Sequence, residues 1–389
     1  MSFDRHFLNV DDFQKAARRR LPKIFADYVD GGAFTETTLE RNSADFERIA
    51  LQQKVLTKLK DPDISTSLNG THCALPFGPG PVGYQGLYRR GGDIAIAKAA
   101  AKAGVPFVLS TFSIAGPETI ARETGVAPQF QLYLDIDPEV NASYLAQCRK
   151  AGVETIFLTV DTAITSVREK DVRNGFRAVD HITPHLAMQF ATRPGWTLDM
   201  AMGPFPEVEI IKGREADFGK GALAQSGSLA GRLDKNLTWD TIRNLRKQWD
   251  GKLIIKGICD VEDAAQAGKE DIDGIVLSNH GGRQLDHGLS TISLVADIRK
   301  ALGDEKQLYV DSGFRRGSDV VKAIALGADF VLMGRPFTWA ATAKGERGVT
   351  KLFELLKVET ETTLQLMGFS SLEELKAKGA STLRFLDKK

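Results

Sequence analysis

The stretch Leu308–Pro336, LYVDSGFRRGSDVVKAIALGADFVLMGRP, contains a strand–helix–strand unit. Two short apolar runs, Leu308–Val310 and Phe330–Met333, flank Gly317–Leu326, in which apolar residues recur at helical spacing. The dipeptide Leu326-Gly327 is typical of a helix C-terminus. Because strands that alternate with helices form parallel sheets, this stretch predicts an α/β fold.

The same pattern recurs along the whole chain. Eight short apolar runs are present, and helix-like segments, several ending in Ala-Gly or Leu-Gly, separate most of them. Eight such units fit a closed (β/α)₈ TIM barrel better than an open sheet. The runs are Leu75–Pro79, Phe107–Ser110, Phe130–Tyr133, Thr155–Val160, Leu253–Lys256, Gly274–Ser278, Leu308–Val310 and Phe330–Met333.

Two regions lie outside this pattern. We predict one domain over residues 1–389, with a helical lead-in at 1–73, the barrel at 74–370 and a tail at 371–389. A long insertion, 175–237, separates the fourth and fifth strands and ends in a glycine-rich part, 221–231, whose composition indicates flexibility.

The insertion has two interpretations. Its apolar residues favour either a lid over the barrel mouth or a neighbouring subunit, or contact with a membrane. Residues 177–215 hold four basic and five acidic side chains, so the polybasic attraction that helps a surface anchor is missing. We therefore expect at most weak, peripheral membrane contact. The apolar residues include Leu186, Met188, Phe190, Trp196, Met200 and Met202.

Composition excludes several classes of protein. The chain has 51 basic and 50 acidic residues, a net charge of +1 that argues against a nucleic-acid partner. Three distant cysteines (Cys73, Cys148 and Cys259) indicate neither a disulfide framework nor a cysteine zinc site, and fit a reducing, cytoplasmic compartment. No signal peptide is expected from the charged first twenty residues. His181 and His185 have no obvious third ligand nearby in sequence, so no metal is expected.

Nearly every predicted strand ends in polar or glycine residues. In a TIM barrel these ends meet on one rim, where active sites are built. Eight such endings together are the strongest functional signal in the sequence. They are Gly80–Gly83, Ser110-Thr111, Gln131–Tyr133, Thr159–Asp161, Lys256-Gly257, Ser278–Asp286, Asp311–Gly313 and Gly334–Pro336.

The last two endings predict a phosphate site. Gly313 and Gly334 allow backbone N–H groups to approach an anion, and Arg315 or Arg335 can pair with it. The alternative is that both are ordinary strand-to-helix turns. The first ending is a glycine- and proline-rich backbone that could lie flat against a planar ring.

Other rim residues suit the edge of such a ring or simpler structural roles. Ser110, Gln131 and Thr159 offer hydrogen bonds to a ring, or could cap the helices that follow them. Lys256 ends an apolar run, so its ammonium must meet a negative charge or shift its pKa. A reduced flavin would supply that charge, and so would a barrel carboxylate such as Asp311.

Histidine and arginine occur together in the sixth ending. A histidine such as His280 suits proton abstraction near neutral pH, and Arg283 suits two-pronged capture of a carboxylate. Asp161, at the end of another strand, could orient the imidazole and raise its basicity. A capping or core role for His280 is the alternative, which its glycine-flanked context disfavours.

These residues bring the chain close to a known family. SNHGGRQLD (278–286), DSGFRRGSDVVKAIALGAD (311–329), QLY (131–133), TVD (159–161) and YVDGGA (28–33) resemble the FMN-dependent 2-hydroxy acid oxidases and dehydrogenases. The family includes bacterial L-lactate and mandelate dehydrogenases. The resemblance covers residues 5 to 370, and its SNHGGRQLD stretch is highly specific.

The resemblance implies a role for each matching position. His280 would be the base, Asp161 its partner, and Tyr133 and Arg283 further catalytic residues. The substrate would contact Tyr28, Tyr133, Arg168, His280 and Arg283. FMN would be held by Pro81, Val82, Gly83, Ser110, Gln131, Thr159, Lys256, Ser278, Asp311, Gly313, Arg315, Gly334 and Arg335. It also implies a homo-oligomer, a tetramer, at most peripherally bound to the inner face of the membrane.

Departures from the family pattern concern the substrate and the electron acceptor. Val82 replaces a common threonine, Ser166 a common glycine, and Phe112 a tryptophan found in some members. L-lactate is therefore the first candidate substrate and L-mandelate the second. Gly83 favours a quinone over oxygen as acceptor, by resemblance alone. Two rival functions are another FMN barrel enzyme, such as an isomerase, and a barrel that binds flavin or phosphate without catalysis.

Overall fold

The computed structural model describes residues 6–57, 61–176 and 183–386. Eight parallel strands, numbered β1 to β8 in chain order, form one sheet that curves into a barrel and confirms the predicted fold. β8 pairs with β1, and the remaining gap between β1 and β2 is bridged below and above by Ala74 N–Gly104 O (3.0 Å) and Tyr84 N–Phe112 O (2.9 Å). The strands are Phe77–Pro79, Val108–Ser110, Gln129–Leu132, Thr155–Thr159, Lys252–Ile258, Gly274–Leu277, Gln307–Val310 and Phe330–Met333.

The interior of the barrel is an apolar layer of its own. Alternate side chains on a strand face opposite sides, so one set fills the barrel while its neighbours pack against the outer helices. The hairpin Thr66–Leu68 and Thr71–Cys73 closes the bottom of this layer with Leu68 and Cys73. The barrel members of the layer are Val108, Phe157, Ile254, Val276, Tyr309, Phe330 and Leu332.

The same alternation positions the functional rim. The residue two places after each interior residue faces inward one level higher. Ile254 is thus followed by Lys256, and Val276 by Ser278. The other pairs are Val108 and Ser110, Phe157 and Thr159, Tyr309 and Asp311, and Leu332 and Gly334.

Helices between the strands and after the last one cover the outside of the barrel. Several begin with recognisable caps: the Asp260 carboxylate accepts from the N–H groups of Glu262 and Asp263, and Pro117 and Pro138 occupy first-turn positions. Their bounds are Gln85–Tyr88, Gly92–Lys102, Pro117–Thr124, Pro138–Lys150, Trp239–Gln248, Val261–Ala267, Thr291–Ser293 (3₁₀), Val295–Leu302, Gly317–Ala325, Arg335–Lys344 and Glu346–Leu366.

The lead-in and the tail meet at one side of the barrel. Strand Ile49–Leu51 of the lead-in pairs antiparallel with Leu383–Phe385 of the tail. Lys23–Asp30 is buried along most of its length. The other elements of these two segments are Val10–Arg20, Thr37–Ala44, Asp45–Arg48 (3₁₀), Leu372–Lys378 and Gly379–Thr382 (3₁₀).

The long insertion is helical in its described part; positions 177–182, which include His181, lie outside the described residues. The prediction of flexibility at 221–231 is wrong, because Ala222–Gly231 is a helix with buried Gln225 and Ser226. Gln225 Oε1 accepts from Val208 N at 2.8 Å, which fixes this helix to the rest of the insertion. The remaining helices of the insertion are Pro184–Ala191, Pro194–Ala201, Glu209–Ile211 (3₁₀) and Glu215–Phe218, and helix Glu169–Asn174 lies just before it.

One face of the insertion packs against the barrel helix Gln85–Tyr88 and the lead-in, and the other faces outward. Trp196 Nε1 donates to Leu87 O at 2.8 Å, and the Trp196 ring lies 5.3 Å from that of Phe25. On the outer face Met188, Leu198 and Met202 are 65%, 67% and 81% exposed. Within 6–57, 61–176 and 183–386, no helix is both long and apolar enough to cross a membrane.

Candidate active site

A cavity opens at the carboxyl ends of the strands. It has a volume of about 1190 Å³, its open mouth included. Asp161 and Ser278 lie behind its wall, whereas every other predicted site residue lines it. These lining residues are Tyr28, Pro81, Val82, Gly83, Ser110, Gln131, Tyr133, Thr159, Arg168, Lys256, His280, Arg283, Asp311, Gly313, Arg315, Gly334 and Arg335.

His280 is held in one orientation by Asp161. The imidazole Nδ1 lies 2.9 and 3.1 Å from the two carboxylate oxygens, and Nε2 lies 3.4 Å from the Tyr133 hydroxyl. Burial lowers the pKa of His280, helped by the charges of Lys256 and Arg168 and opposed by Asp161. The pKa of Asp161 is also lowered, because His280 and Lys256 outweigh the effect of burial. The pair therefore favours a neutral imidazole whose Nε2 faces the cavity.

Two backbone features make this pairing possible. His280 has a φ of 57°, in the left-handed region, which turns its ring toward the rim of β4. Gly257 has a φ of 114°, and a Cβ built on it would lie 2.7 Å from Asp161 Cβ. Glycine at 257 thus leaves the space that the Asp161 side chain occupies.

Lys256 lies at the base of the cavity. Its Nζ donates to Ser278 Oγ at 2.8 Å and lies 3.1 Å from Asp311 Oδ2. Burial by itself would lower the pKa of Lys256, but the carboxylates of Asp311 and Asp161 outweigh it and raise that pKa. The ion pair between Lys256 and a barrel carboxylate, one of the two predicted roles of this lysine, is thus present. Lys256 nevertheless lines the cavity and can also contact a ligand there.

Ser110, Gln131 and Thr159 form a polar belt along the same wall. Ser110 Oγ is 3.0 Å from Gln131 Oε1, and Gln131 Nε2 donates to Thr159 Oγ1 at 2.9 Å. These three residues were alternatively predicted to cap the helices that follow them. Ser110 Oγ accepts from Phe112 N at 3.2 Å, which is a contact within a turn and not a helix cap. The belt presents alternating donors and acceptors across three neighbouring strands.

Arginines dominate the opposite side of the cavity. Arg283 Nη1 donates to the carbonyls of Tyr28 and Gly31 at 2.6 and 2.7 Å. Arg335 donates to the carbonyls of Val29, Gly281 and Gly31, each at 2.9 Å. The helix and turn at residues 23–31 therefore fix both guanidinium groups.

The arginines repel one another. Burial and the charges of Arg283, Arg315 and Arg168 lower the pKa of Arg335 to about 9, and burial lowers that of Arg315 to about 10. Arg168 is itself buried, 3.7 Å from Asp171. An anion in the cavity would relieve this excess of positive charge.

The phosphate-loop glycines have different structural reasons. At Gly313, with a φ of 90°, any Cβ would collide with the carbonyl of Asn42, so packing of the lead-in requires glycine there. At Gly334 a Cβ would meet only Val82 Cγ2, at 3.0 Å. Glycine at 334 thus avoids a close contact with Val82 on the cavity wall, and its role in an anion site stays a prediction.

Several lining residues were not predicted from the sequence. Ser312 and Gln284 lie inside motifs that were singled out, so their position was the available signal. Thr162, Thr165 and Leu233 come from loops without periodicity, and no sequence pattern points to them. Gln284 Nε2 donates to the Asp161 and Ile164 carbonyls at 2.5 and 2.9 Å and so ties down the loop that follows Asp161.

Comparison with known proteins agrees with this geometry. The model of the FMN-dependent dehydrogenase family matches residues 17–382. The chain belongs to the FMN-dependent dehydrogenase family. It is 39% identical over 370 residues to an L-lactate dehydrogenase of Pseudomonas aeruginosa, covering 94% of this chain and 96% of the relative. An L-lactate dehydrogenase of Pectobacterium atrosepticum is 39% identical over 366 residues, covering 94% of each chain.

Solved structures of the family superimpose on the whole chain. A (S)-mandelate dehydrogenase, described as a monotopic membrane protein, has a TM-score of 0.91 at 34% identity, covering 97% of this chain and 99% of that one. A mandelate oxidase has a TM-score of 0.81 at 33% identity, covering 97% and 98%. The protein is therefore an oxidoreductase that acts on 2-hydroxy acids, with FMN as its cofactor.

The described residues fit FMN. The polar belt and Lys256 suit the heteroatom edge of a flavin ring, and Gly334 lines the cavity beside Val82 of the first ending. Arg315 and Arg335 supply the positive charge for a phosphate. Arg168, Arg283 and His280 remain on the cavity wall for a second, smaller anion.

Proposed function

We propose that this enzyme oxidises an L-2-hydroxy acid, preferentially L-lactate, to the 2-oxo acid and passes the electrons to a quinone. The observation that supports the chemistry best is the His280–Asp161 pair, with Nδ1 on the carboxylate and Nε2 facing a cavity lined by Arg168 and Arg283. A base and a carboxylate clamp on one wall are what this oxidation requires of the protein. They also disfavour an isomerase or a non-catalytic barrel, neither of which needs both groups.

Substrate binding depends on the arginines and two tyrosines. Arg168 and Arg283 bind the substrate carboxylate, and Tyr28 and Tyr133 donate hydrogen bonds to its carboxylate and hydroxyl. Arg283 also lies 4.6 Å above the Tyr28 ring, so the tyrosine and the guanidinium hold each other in place. This arrangement orients the hydroxy-acid carbon toward His280.

His280 takes the proton. With Nδ1–H donated to Asp161, Nε2 keeps a lone pair, and it accepts the proton from the substrate. The Asp161 carboxylate stabilises the imidazolium that results. FMN, when bound, accepts the two electrons. The polar belt and Lys256, with Ser278 hydrogen-bonded to Lys256, would hold its ring, and Gly313, Arg315, Gly334 and Arg335 would hold its phosphate.

Substrate size is set by aromatic residues around the cavity. Phe112 packs against Tyr133 at 4.8 Å and Tyr84 at 5.7 Å between ring centroids. Leu233 adds an apolar contact from the end of the insertion. The L-lactate dehydrogenase relatives favour L-lactate, whereas the TM-score of 0.91 with a mandelate dehydrogenase supports L-mandelate as the second candidate.

Anaerobic mixing of the yellow holoenzyme with a panel of L-2-hydroxy acids tests this function. We expect bleaching of the flavin band, with kcat/KM highest for L-lactate. In His280→Ala, FMN should remain bound while flavin reduction slows by about 10²–10⁴-fold or more. If no acid bleaches the flavin, the proposed function is wrong; a higher kcat/KM for L-mandelate would reverse the substrate order only.

The acceptor is tested separately. Turnover with saturating substrate in air is compared with turnover using a quinone analogue without air. Gly83 supports the quinone by resemblance, and a Cβ there would lie 2.7 Å from Phe112 Cβ, so the position is tightly packed. Hydrogen peroxide release as fast as quinone reduction would identify an oxidase instead.

The outer face of the insertion supports peripheral membrane contact from the cytoplasmic side. Met188, Leu198 and Met202 are exposed together with Phe205, which is 42% exposed. Leu198→Ser/Met202→Ser should reduce sedimentation with vesicles, whereas Leu366→Ser, at a residue 53% exposed elsewhere, should not. Equal sedimentation of the wild type and both variants would show that this surface does not contact the membrane. The single-domain organisation and the tetramer stay predictions.

A further inference from the structure

A second cavity lies away from the active site, between the first helix, Val10–Arg20, and the start of the insertion helix Pro194–Ala201. It has a volume of about 1270 Å³, including its open side. We name it the basic cleft. Its ionisable lining residues are the cations Lys15, Arg19, Arg20, Arg193 and Lys344, one carboxylate, Asp12, and the imidazole of His6.

The basic cleft holds more positive charge than the chain as a whole would suggest. The whole chain has a net charge of only +1, yet five lysines and arginines share this cavity with one aspartate. Lys15 and Arg19 are four residues apart on one helix face, a spacing at which like charges destabilise the helix. Asp12 Oδ2 is engaged locally, accepting from Leu8 N at 2.9 Å.

Most of these cations lack a carboxylate partner. Within the described ranges, no Asp or Glu lies within ion-pair distance of Lys15, Arg19 or Arg193. Lys344 lies 5.6 Å from the Phe7 ring centroid and also has no carboxylate partner among those residues. Arg20 is the exception, because its Nη2 lies 2.6 Å from Asp199 Oδ2.

Two of the arginines are held in place by other groups. Arg193 Nε donates to Leu21 O at 3.0 Å and its Nη1 to Thr192 O at 3.3 Å, which leaves further N–H groups unused. Arg20 Nε is buried and has no hydrogen-bond partner among the described residues. The cleft thus presents guanidinium groups already fixed in position, which reduces the entropy cost of binding an anion.

We propose that the basic cleft binds a phosphate group. Phosphate oxygens accept several charge-assisted hydrogen bonds at once, which matches a cluster of arginines and lysines most of which have no carboxylate partner among the described residues. Thr192 and Arg193, which line the cleft, join the two insertion helices that expose Met188 and Leu198. An anionic lipid headgroup could therefore enter the cleft while those residues contact the acyl region. A soluble phosphate ligand has the same chemistry.

Two probes and a matched pair of double variants test the proposal on the holoenzyme. The probes are phosphatidylglycerol vesicles, with phosphatidylcholine vesicles as the uncharged comparison, and inorganic phosphate followed by calorimetry. Lys15→Gln/Arg19→Gln removes two cleft charges. Lys247→Gln/Lys300→Gln removes two charges from exposed lysines on distant helices. We expect the cleft variant to lose about thirtyfold in vesicle affinity at low salt and the control variant to retain it.

The outcomes separate the sources of the phosphate. If the cleft variant, but not the control variant, loses only vesicle binding, the phosphate belongs to a lipid headgroup. If the cleft variant loses only inorganic phosphate binding, the ligand is soluble. The proposal is overturned if wild type binds neither probe, or if both double variants weaken equally. Anaerobic flavin reduction by L-lactate, measured on the same proteins, should be unchanged in both variants, so failure here is distinct from failure of the proposed function.

Discussion

Replacing Asp161 with asparagine should slow flavin reduction by about 10³-fold while leaving FMN bound. The carboxylate contacts His280 Nδ1 at 2.9 and 3.1 Å, and its charge favours the imidazolium that forms on proton transfer. Opposite charges roughly 4 Å apart interact by about 4 kcal/mol at an effective dielectric constant near 20. Loss of that stabilisation in the transition state corresponds to about three orders of magnitude in rate.

The Asp161→Asn substitution should also shift the pH profile of flavin reduction in a defined direction. His280 acts as a base only when neutral, so activity is lost as pH falls through its pKa. Burial, Lys256 and Arg168 already lower that pKa, and Asp161 opposes them. Without the Asp161 charge the pKa falls further, and the acidic limb of the profile should move to lower pH.

Stopped-flow reduction of the anaerobic holoenzyme by L-lactate, across a pH series, measures both effects. Asp273→Asn is the matched control, because Asp273 pairs with Lys252 at the other end of the barrel, at 2.9 Å. It should lower stability and leave the reduction rate unchanged. A rate within tenfold of wild type for Asp161→Asn, or an acidic limb at higher pH, would refute the assigned role.

Three further changes test other parts of the site. Arg283→Lys should raise KM for the hydroxy acid by about 10²-fold, because lysine cannot hold the Tyr28 and Gly31 carbonyls and a carboxylate together; an unchanged KM would exclude the clamp. Gly257→Ala should slow flavin reduction by displacing Asp161. Its control is Gly125→Ala, at a φ of 75° with open space around it, which should lose only about 1 kcal/mol of stability. Equal reduction rates in the two variants would contradict the packing argument. Lys256→Met should lower the potential of bound FMN by roughly 30 mV or more, read by dye equilibration, and an unchanged potential would show that its charge is absorbed by Asp311.

The barrel was predictable because eight apolar runs alternate with helix-like segments, and its rim was predictable because polar or glycine residues end those runs. An apolar residue such as Val276 indicates the interior, and the polar Ser278 two places later indicates the rim. Each strand contains this information locally. The chemistry of the rim was therefore available before any contact was known.

Features that depend on distant contacts were not predictable. The acceptors of Arg335 are main-chain carbonyls at residues 29 and 31, which leave no mark on the sequence. Gly313 was interpreted as an anion-binding residue, although packing against Asn42 already requires it. The stretch 221–231 was expected to be flexible from composition, and burial of Gln225 makes it a helix instead.

The anchoring of Arg283 and Arg335 by backbone carbonyls has an evolutionary consequence. A point mutation changes a side chain but leaves a carbonyl where it was, so a substitution at Val29 need not release either arginine. Tyr28 and Gly31 are more constrained, because Tyr28 packs on Arg283 and a Cβ at Gly31 would lie 2.7 Å from the Asp27 carbonyl oxygen. A deletion between 23 and 28 is different, since each lost residue turns the helix by about 100° and carries those carbonyls out of reach. Among homologues, this segment should therefore reject altered length, and a library for new substrates should keep its length fixed.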